Sequence, residues 1–350
     1  NTLIIFDEIQ EVPKALTSLK YFHENAPQYA IVAAGSLLGV ALHQGTSFPV
    51  GKVDFLDLYP LNFREFLCAM GEKQFVSMLD SCDTQMVTVF KTKYIERLRE
   101  YYFVGGMPEV VKDFSEKKDY NRVRAIQKNL INYYQQDFSK HAEIKLVPRL
   151  NLVWNSIPMQ LAKENKKYIY GQVRKGSRAK DFELAIQWLL DCGLIHKVQR
   201  IQKPDLPLKA YIDFDAFKLF LVDIGLLIAM TDLDAKVIIE GNKIFTEFKG
   251  SLTEQYILQQ LISDVGVIPY YYSTQNSKGE IDFLVQGKTS VIPIEVKAEE
   301  NLKAKSLKAF CEKYQPSYAV RTSMSDYREQ DWMTNIPLYA IKWIENYVNQ

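Results

Sequence analysis

Short, uninterrupted apolar runs open the chain. Residues 3–6 (LIIF) form one such run, which ends in Asp7-Glu8, and residues 29–34 form a second, which ends in Gly35-Ser36. Runs of this kind are typical of parallel strands that are covered on both faces. Because the apolar residues of 15–25 have helical spacing, the pattern predicts a β-α-β unit.

The pattern then becomes largely helical. A third strand is predicted near 53–58, followed by a turn at Pro60 and a helix at 63–67. Helical periodicity continues from about residue 74 to 140, and the sequence GGMP at 105–108 predicts a turn within it. We therefore expect an all-helical block after the α/β block.

From about residue 150 the pattern changes again. A helix through Leu161 is followed by the basic turn Arg174-Lys175-Gly176, with Ser177 as the predicted N-cap of the next helix. That helix has one buried face and ends at Gly193, and strands are predicted at 194–201 and 209–213. Helices followed by a short hairpin are typical of a winged helix-turn-helix.

The last block has the element order α-β-β-β-α-β. Its predicted elements are a helix at 247–262, strands at 267–273, 280–285 and 290–297, a helix at 302–314 and a strand at 317–321. The changes of pattern divide the chain into four blocks, which are 1–70, 71–145, 146–243 and 244–350.

Composition excludes several classes of protein. The 350 residues contain 43 Lys and Arg against 42 Asp and Glu, so only a local patch could attract nucleic acid or an anionic membrane. The four cysteines are scattered, which argues against a zinc site or a disulfide framework and favours a reducing, cytoplasmic location. No apolar run is long enough to cross a bilayer.

Asp7 and Glu8 follow a predicted buried strand, at the end where open α/β sheets bind ligands. Two adjacent carboxylates there suit nucleotide hydrolysis, because the first can hold Mg²⁺ and the second can polarise the attacking water. Ser36 ends the neighbouring strand and is a candidate for positioning that water. The alternative is that the two acids only cap the following helix.

The chain contains four longer motifs, which are LIIFDEIQEVP, AAGSLLG, VGKVDFLDLYPLNFREFL and YFVGGMPEVV. Together they resemble a family of prokaryotic AAA+-type ATPases with a C-terminal domain of unknown function, and the resemblance covers essentially the whole chain. It implies that Asp7 and Glu8 are the Walker B acids, that Ser36 is the sensor residue and that ATP and Mg²⁺ are the cofactors. Lys52 stands where the family usually has Arg as a phosphate-facing cation, and a lysine lacks the bidentate fork of a guanidinium.

No GxxxxGK[ST] loop occurs in these residues, although that loop supplies the amides and the lysine that hold nucleotide phosphates. In the family the loop precedes the Walker B strand. Because the first residue is Asn1, we expect the natural N-terminus to lie upstream. These 350 residues alone are expected to bind ATP weakly or not at all.

A second group of charged residues lies in the last block. Glu295 and Lys297 are two apart on a predicted strand and share a face, Asp282 faces the same way from the preceding strand, and Glu254 lies on the earlier helix. Three carboxylates and a lysine could bind Mg²⁺, activate water for phosphodiester cleavage and stabilise the developing charge. The alternative is a solvated charged face on an edge strand.

Two motifs, GEIDFLV and VIPIEVKAEE, accompany this group and the α-β-β-β-α-β order. With them the segment resembles the PD-(D/E)XK nuclease superfamily. The resemblance implies a restriction-endonuclease-like domain in which Asp282 and Glu295 bind the metal and Lys297 is catalytic, and the position of Glu254 on the earlier helix makes it a further candidate metal ligand. A fold does not guarantee its chemistry, so cleavage is a separate question.

Cations also cluster around the predicted winged helix. Those at the start of its recognition helix are Arg174, Lys175, Arg178 and Lys180, and those near the wing are Lys197, Arg200, Lys203 and Lys209. This placement could contact phosphates, but such units also serve as protein-docking modules, and both interpretations stay open.

The sequence therefore predicts a multidomain α/β protein. Its parts are a truncated P-loop AAA+-type parallel sheet (1–70), a helical lid (71–145), a winged-helix unit (146–243) and a nuclease-like domain (244–350). One hypothesis is an ATP-hydrolysing regulatory protein whose nuclease-like domain acts on or senses nucleic acid. The other is a signalling or scaffold ATPase in which that domain is a non-catalytic interaction module. The expected partners are ATP, DNA or RNA, other proteins and further copies of the chain, with no membrane.

Overall fold

A computed structural model describes residues 2–35, 51–163, 166–240, 246–274, 279–300 and 304–350. The helices are Pro13–Asn25 (α1), Phe63–Ala69 (α2), Lys73–Asp80 (α3), Thr84–Val89 (α4), Lys91–Val104 (α5), Pro108–Lys117 (α6), Tyr120–His141 (α7), Val147–Leu161 (α8), Tyr170–Val173 (α9), Ala179–Asp191 (α10), Ile224–Met230 (α11), Ala235–Ile239 (α12), Thr246–Gln260 (α13), Lys305–Tyr314 (α14) and Glu345–Val348 (α15). The strands are Leu3–Phe6 (β1), Ala30–Ala33 (β2), Ile195–Ile201 (β3), Ile212–Leu221 (β4), Tyr270–Ser273 (β5), Glu280–Gln286 (β6), Val291–Val296 (β7), Val320–Ser323 (β8), Arg328–Gln330 (β9) and Met333–Pro337 (β10).

The predicted β-α-β unit is confirmed at the N-terminal end of the chain. Strands β1 and β2 pair in parallel, with Leu3 opposite Ala30 and Phe6 opposite Ala33, and α1 connects them. Within the described residues one face of this pair is open, since Leu3 is 57% and Ile5 64% exposed. The expectation that both faces are covered is therefore not met in this part of the chain.

The third strand predicted at 53–58 is wrong. Residues 53–60 form no regular element, and the apolar side chains of Phe55, Leu56 and Leu58 are exposed. A strand needs a neighbour for its backbone hydrogen bonds, and this segment pairs with no strand in the described part of the chain. The helix predicted after it is confirmed as α2, whose N-cap Asn62 forms a capping box with Glu65.

The helical block and its internal turn are confirmed. Helix α5 ends at Gly105, which adopts a left-handed φ of 74°, and α6 starts with Pro108 at its first position. Glycine tolerates that φ, and proline there loses no helical hydrogen bond, so the GGMP sequence itself separates the two helices.

Strands β3 and β4 do not form a free-standing wing. They pair antiparallel to each other, and β3 also pairs in parallel with β5, so both belong to one mixed sheet with the order β4-β3-β5-β6-β7-β8-β10-β9. Strand β4 covers Ile212–Leu221, whereas a strand was predicted at 209–213. The sheet therefore continues across residue 243, where the sequence pattern changes.

The predicted N-cap of α10 is also wrong. The helix starts at Ala179 with Arg178 as its N-cap, and the Arg178 amide donates to the Asp181 carboxylate at 2.8 Å. The acidic residue at the third helical position thus satisfies the amide of the N-cap residue itself, as the acid of a capping box does.

The element order α-β-β-β-α-β after residue 244 is confirmed, with β9 and β10 added after it. Leu252 of α13 and Leu307 of α14 lie in different apolar clusters on this sheet, so the two helices cover opposite faces. Strand β7 lies between β6 and β8, and Glu295 on it is only 4% exposed. The alternative of a solvated charged face on an edge strand is therefore wrong.

None of the described helices combines the length and the apolar composition that a bilayer crossing requires.

His196 on β3 makes the stability of this sheet depend on pH. Burial lowers the pKa of His196 to about 4, whereas an unfolded histidine titrates near 6.5. The unfolded chain therefore binds the extra proton first, and stability present above pH 6.5 is lost as the pH falls towards 4. The loss amounts to about 3 kcal/mol. His196→Gln should remove this dependence from urea unfolding midpoints, and His23→Gln, at an exposed position, should retain it.

Candidate functional site

The first candidate site lies at the carboxyl end of β1. Asp7 and Glu8 are both exposed there, and Asp7 Oδ1 accepts a hydrogen bond from the Glu8 amide at 3.1 Å. The Gln10 side chain donates to the Glu8 carboxylate from the short 3₁₀ turn that follows. The two acids thus sit at the end of a parallel strand, where open α/β sheets hold ligands.

Glu8 has a left-handed backbone, with φ 48° and ψ 45°. This conformation is unfavourable for a residue with a side chain, and such strain clusters at functional sites. The neighbouring contacts hold it in place, because the Ile9 amide donates to the Ala34 carbonyl at 3.0 Å and the Ile9 side chain is buried. The contacts of Ile9 therefore hold the backbone conformation that sets the direction of the Glu8 side chain.

The other two residues predicted for this site are Ser36 and Lys52. Ser36 lies outside the described residues. Lys52 is described, and its ammonium lies 3.6 Å from the carboxylate of Glu24 on α1. Its assignment as a phosphate-facing cation stays a prediction.

The second candidate site lies where α13, β6 and β7 meet. Asp282 Oδ2 accepts a hydrogen bond from the Val296 amide at 2.7 Å, which fixes β6 against β7 at this point. Lys297 Nζ lies 2.5 Å from Glu295 Oε1. Glu254 reaches the same place from α13, and its charge and that of Glu295 both act on the Asp282 carboxyl. The fold thus brings the four predicted residues together.

Two lysines that the sequence analysis did not assign complete this cluster. Lys218 of β4 is 1% exposed, forms an ion pair with Glu280 and lies 3.6 Å from Glu254 Oε2. Its ammonium also sits 4.8 Å from the centre of the Tyr271 ring. Lys166 forms an ion pair with Glu254 from the segment that precedes α9. Glu254 therefore has a lysine on each side.

The lysines decide which carboxyls carry charge. Burial, and then the charge of Glu254, raise the pKa of Asp282 well above its ordinary value, which favours the protonated form of this carboxyl. Burial would raise the pKa of Glu254 too, but Lys166 and Lys218 outweigh it and lower that pKa. Burial would lower the pKa of Lys218, and Glu254 and Glu280 outweigh it in turn. The shifts therefore favour a proton on Asp282 and charge on Glu254 and Lys218.

This arrangement does not fit a Mg²⁺ site. A magnesium ion needs ionised oxygens that are free to coordinate it. Here lysine ammonium groups already face Glu254 and Glu295, and burial with the charge of Glu254 favours a proton on Asp282. Glu295 Oε2 has no hydrogen-bond partner, but the Lys297 ammonium neutralises that carboxylate. Among the residues that the structure describes, no group of three or more His, Cys, Asp or Glu side chains could hold a metal ion.

One of the missed lysines had a signal in the sequence. Lys218 interrupts the apolar run AFKLFL, and a lysine within a buried strand requires an acidic partner. The sequence carries no such signal for Lys166, because this residue belongs to the lysine-rich segment KENKK, whose composition is typical of a solvated loop.

Comparisons with known proteins divide the chain into three matched segments. Residues 1–67 match the AAA domain family, 95–237 match a domain of unknown function called DUF8612, and 249–341 match a domain of unknown function called DUF4143. No curated protein and no solved structure matches the chain. The AAA and DUF4143 matches support an AAA-like ATPase family. An AAA-type ATPase domain in turn implies nucleotide binding.

Proposed function

We propose that this chain works within an ATPase and supplies the acids of its hydrolytic site. The AAA domain match over residues 1–67 carries the proposal, because Asp7 and Glu8 lie within it at the end of a parallel strand. Asp7 is then the magnesium-side carboxylate, and Glu8 polarises the attacking water. Ser36 and Lys52 are the proposed sensor and phosphate-facing residues, and ATP and Mg²⁺ are the cofactors.

We further propose that the α/β unit around β5–β8 is a non-catalytic interaction module. Its carboxylates are matched by lysines of the same chain, and the most enclosed of these, Lys218, is 1% exposed. Recruiting a metal ion would require lysine ammonium groups to leave buried carboxylates, and separating buried charges is costly. The ion pairs and hydrogen bonds of the cluster therefore hold α13, β4, β6 and β7 together.

The states of Asp282 and Glu254 predict different responses to the same kind of substitution. Asp282→Asn retains the shape and charge of a protonated carboxyl, and its oxygen can still accept from the Val296 amide. We expect it to change the free energy of unfolding by less than about 1 kcal/mol. Glu254→Gln removes an ionised partner of Lys166 and Lys218 and should cost about 2–3 kcal/mol. Urea unfolding at pH 7 measures both.

A nuclease assay tests the module assignment directly. The protein is incubated with single-stranded and duplex DNA and RNA in Mg²⁺ or Mn²⁺, alongside Asp282→Asn and a commercial endonuclease as positive control. We expect no metal-dependent cleavage by either form. Cleavage that the wild type performs and Asp282→Asn loses would overturn the module assignment in favour of a nuclease acting on nucleic acid.

A further inference from the structure

The turn before α10 carries an uncompensated positive charge. Arg174, Lys175, Arg178 and Lys180 are all exposed. None of them takes part in the ion pairs found among the described residues. Two acids follow on the same stretch of chain: Asp181 accepts from the Arg178 amide, and Glu183 is exposed. Four exposed cations within residues 174–180 attract a polyanion.

The cations on the neighbouring strands behave differently. Arg200 forms an ion pair with Asp213, and Lys203 lies 2.7 Å from Asp205. Lys197 sits over the Phe217 ring at 4.4 Å and is partly buried. Of the cations in the two groups, those at 174–180 and Lys209 are exposed and belong to none of the ion pairs found in the described part of the chain, and four of these five lie at the N-terminal end of α10.

The exposed face of α10 extends this surface. The helix buries Phe182 and Leu189 and exposes Lys180, Glu183, Leu184 and Gln187, with Leu184 70% exposed. The Gln187 amide donates to the Asp191 carboxylate at 2.7 Å. The exposed positions have the i, i+3, i+4, i+7 spacing of one helical stripe, on which Lys180 is the cation and Glu183 the acid. Helices α8, α9 and α10 followed by β3 and β4 have the order of a winged helix-turn-helix, in which the last helix is the one that reads a groove.

We propose that residues 174–187 form a binding surface for double-stranded DNA, with the basic turn on the phosphate backbone and α10 in the major groove. The B-form major groove admits an α-helix, whereas the A-form major groove of duplex RNA is too narrow for side chains to read. The proposal uses none of the residues of the Glu254 cluster and none of the residues assigned to hydrolysis.

Fluorescence anisotropy of a labelled 20-base-pair duplex, titrated with the whole chain at several NaCl concentrations, tests the proposal. The test variant is Lys175→Ala with Lys180→Ala. The matched control is Lys112→Ala with Lys117→Ala, which also removes two exposed lysines, from α6. We expect the test variant to bind more weakly and to lower the slope of log affinity against log salt by about 2, because each phosphate contact contributes about 0.9. The control variant should match the wild type.

Three outcomes would overturn the proposal. The first is a wild-type chain that does not bind the duplex, and the second is an equal loss in both double variants. The third is displacement of the DNA by duplex RNA of the same sequence or by polyglutamate at equal charge concentration, since such a site would serve acidic polymers in general. Circular dichroism of each variant verifies that the fold is retained.

Discussion

Glu8→Gln is expected to slow ATP hydrolysis by about 10²–10⁴-fold and to leave nucleotide binding unchanged, when both are measured in a protein that also carries a phosphate-binding loop. The amide keeps the shape of the side chain and its contact with Gln10, so the left-handed backbone at residue 8 is retained. A glutamine amide cannot act as a base, and the attacking water therefore loses its polarising group. Phosphate release and fluorescent-nucleotide binding measure the two quantities separately.

Glu11→Gln is the matched control for this variant. Glu11 lies on the same short turn, where it makes an ion pair with Lys140 at 3.7 Å, and it receives the identical chemical change. We expect normal turnover from it. If Glu8→Gln hydrolysed ATP at the wild-type rate, Glu8 would have no part in the chemistry. An equal loss in both variants would point to the turn as a whole.

The sequence predicted local structure better than strand pairing. The β-α-β unit, the GGMP turn and the α-β-β-β-α-β order all follow from periodicity and turn residues that lie close together in the chain. The strand at 53–58 failed because its apolar residues meet no neighbouring strand in the described structure. Periodicity indicates which residues suit a strand, but it carries no information on what pairs with them.

The same limit explains the errors around β3 and β4. A hairpin after a helix was predicted, but nothing local reveals that β3 also pairs with β5, whose residues lie about 70 positions away. The run AFKLFLVDIGLL is apolar nearly throughout, so its division into the end of β4 and helix α11 has no periodic signal. The boundary at residue 243 reflects a change of pattern that the sheet itself crosses.

At the Glu254 cluster the acids were predictable and their charge states were not. Strand alternation brought Asp282, Glu295 and Lys297 to one place. Their protonation depends on Lys166 and Lys218, which arrive from distant segments. Because a buried lysine replaces the charge that a metal ion would supply, a motif typical of metal binding can build a neutral structural cluster.

The motifs YFVGGMPEVV and KLFLVDIGLL meet around one buried carboxyl. Asp223 is fully buried, and its Oδ1 accepts from the Gly106 amide at 2.6 Å and from Gln259 Nε2 at 3.2 Å. Burial raises the pKa of Asp223, and these hydrogen bonds oppose the rise. The Leu61 amide donates to the Gly106 carbonyl at 2.7 Å, so Gly106 joins the segment that precedes α2 to the segment that precedes α11.

Gly106→Ala is expected to lower the free energy of unfolding by about 3–5 kcal/mol. A methyl group at residue 106 would lie 2.1 Å from the Leu61 carbonyl oxygen and 2.8 Å from the Leu61 nitrogen, and backbone atoms cannot move aside as a flexible side chain can. The displacement would break the Leu61–Gly106 hydrogen bond and leave the buried Asp223 carboxyl short of a donor. The urea midpoint of the whole chain measures the loss.

Gly250→Ala provides the matched control, because Gly250 lies within α13 and a methyl group there meets nothing within 4 Å. Alanine is favoured over glycine inside a helix by about 1 kcal/mol, so this variant should be slightly more stable than the wild type. The two substitutions are chemically identical and should shift the urea midpoint in opposite directions. A Gly106→Ala protein as stable as the wild type would mean that the contact between residues 61, 106 and 223 is not tight, and that this region does not hold the two motifs together.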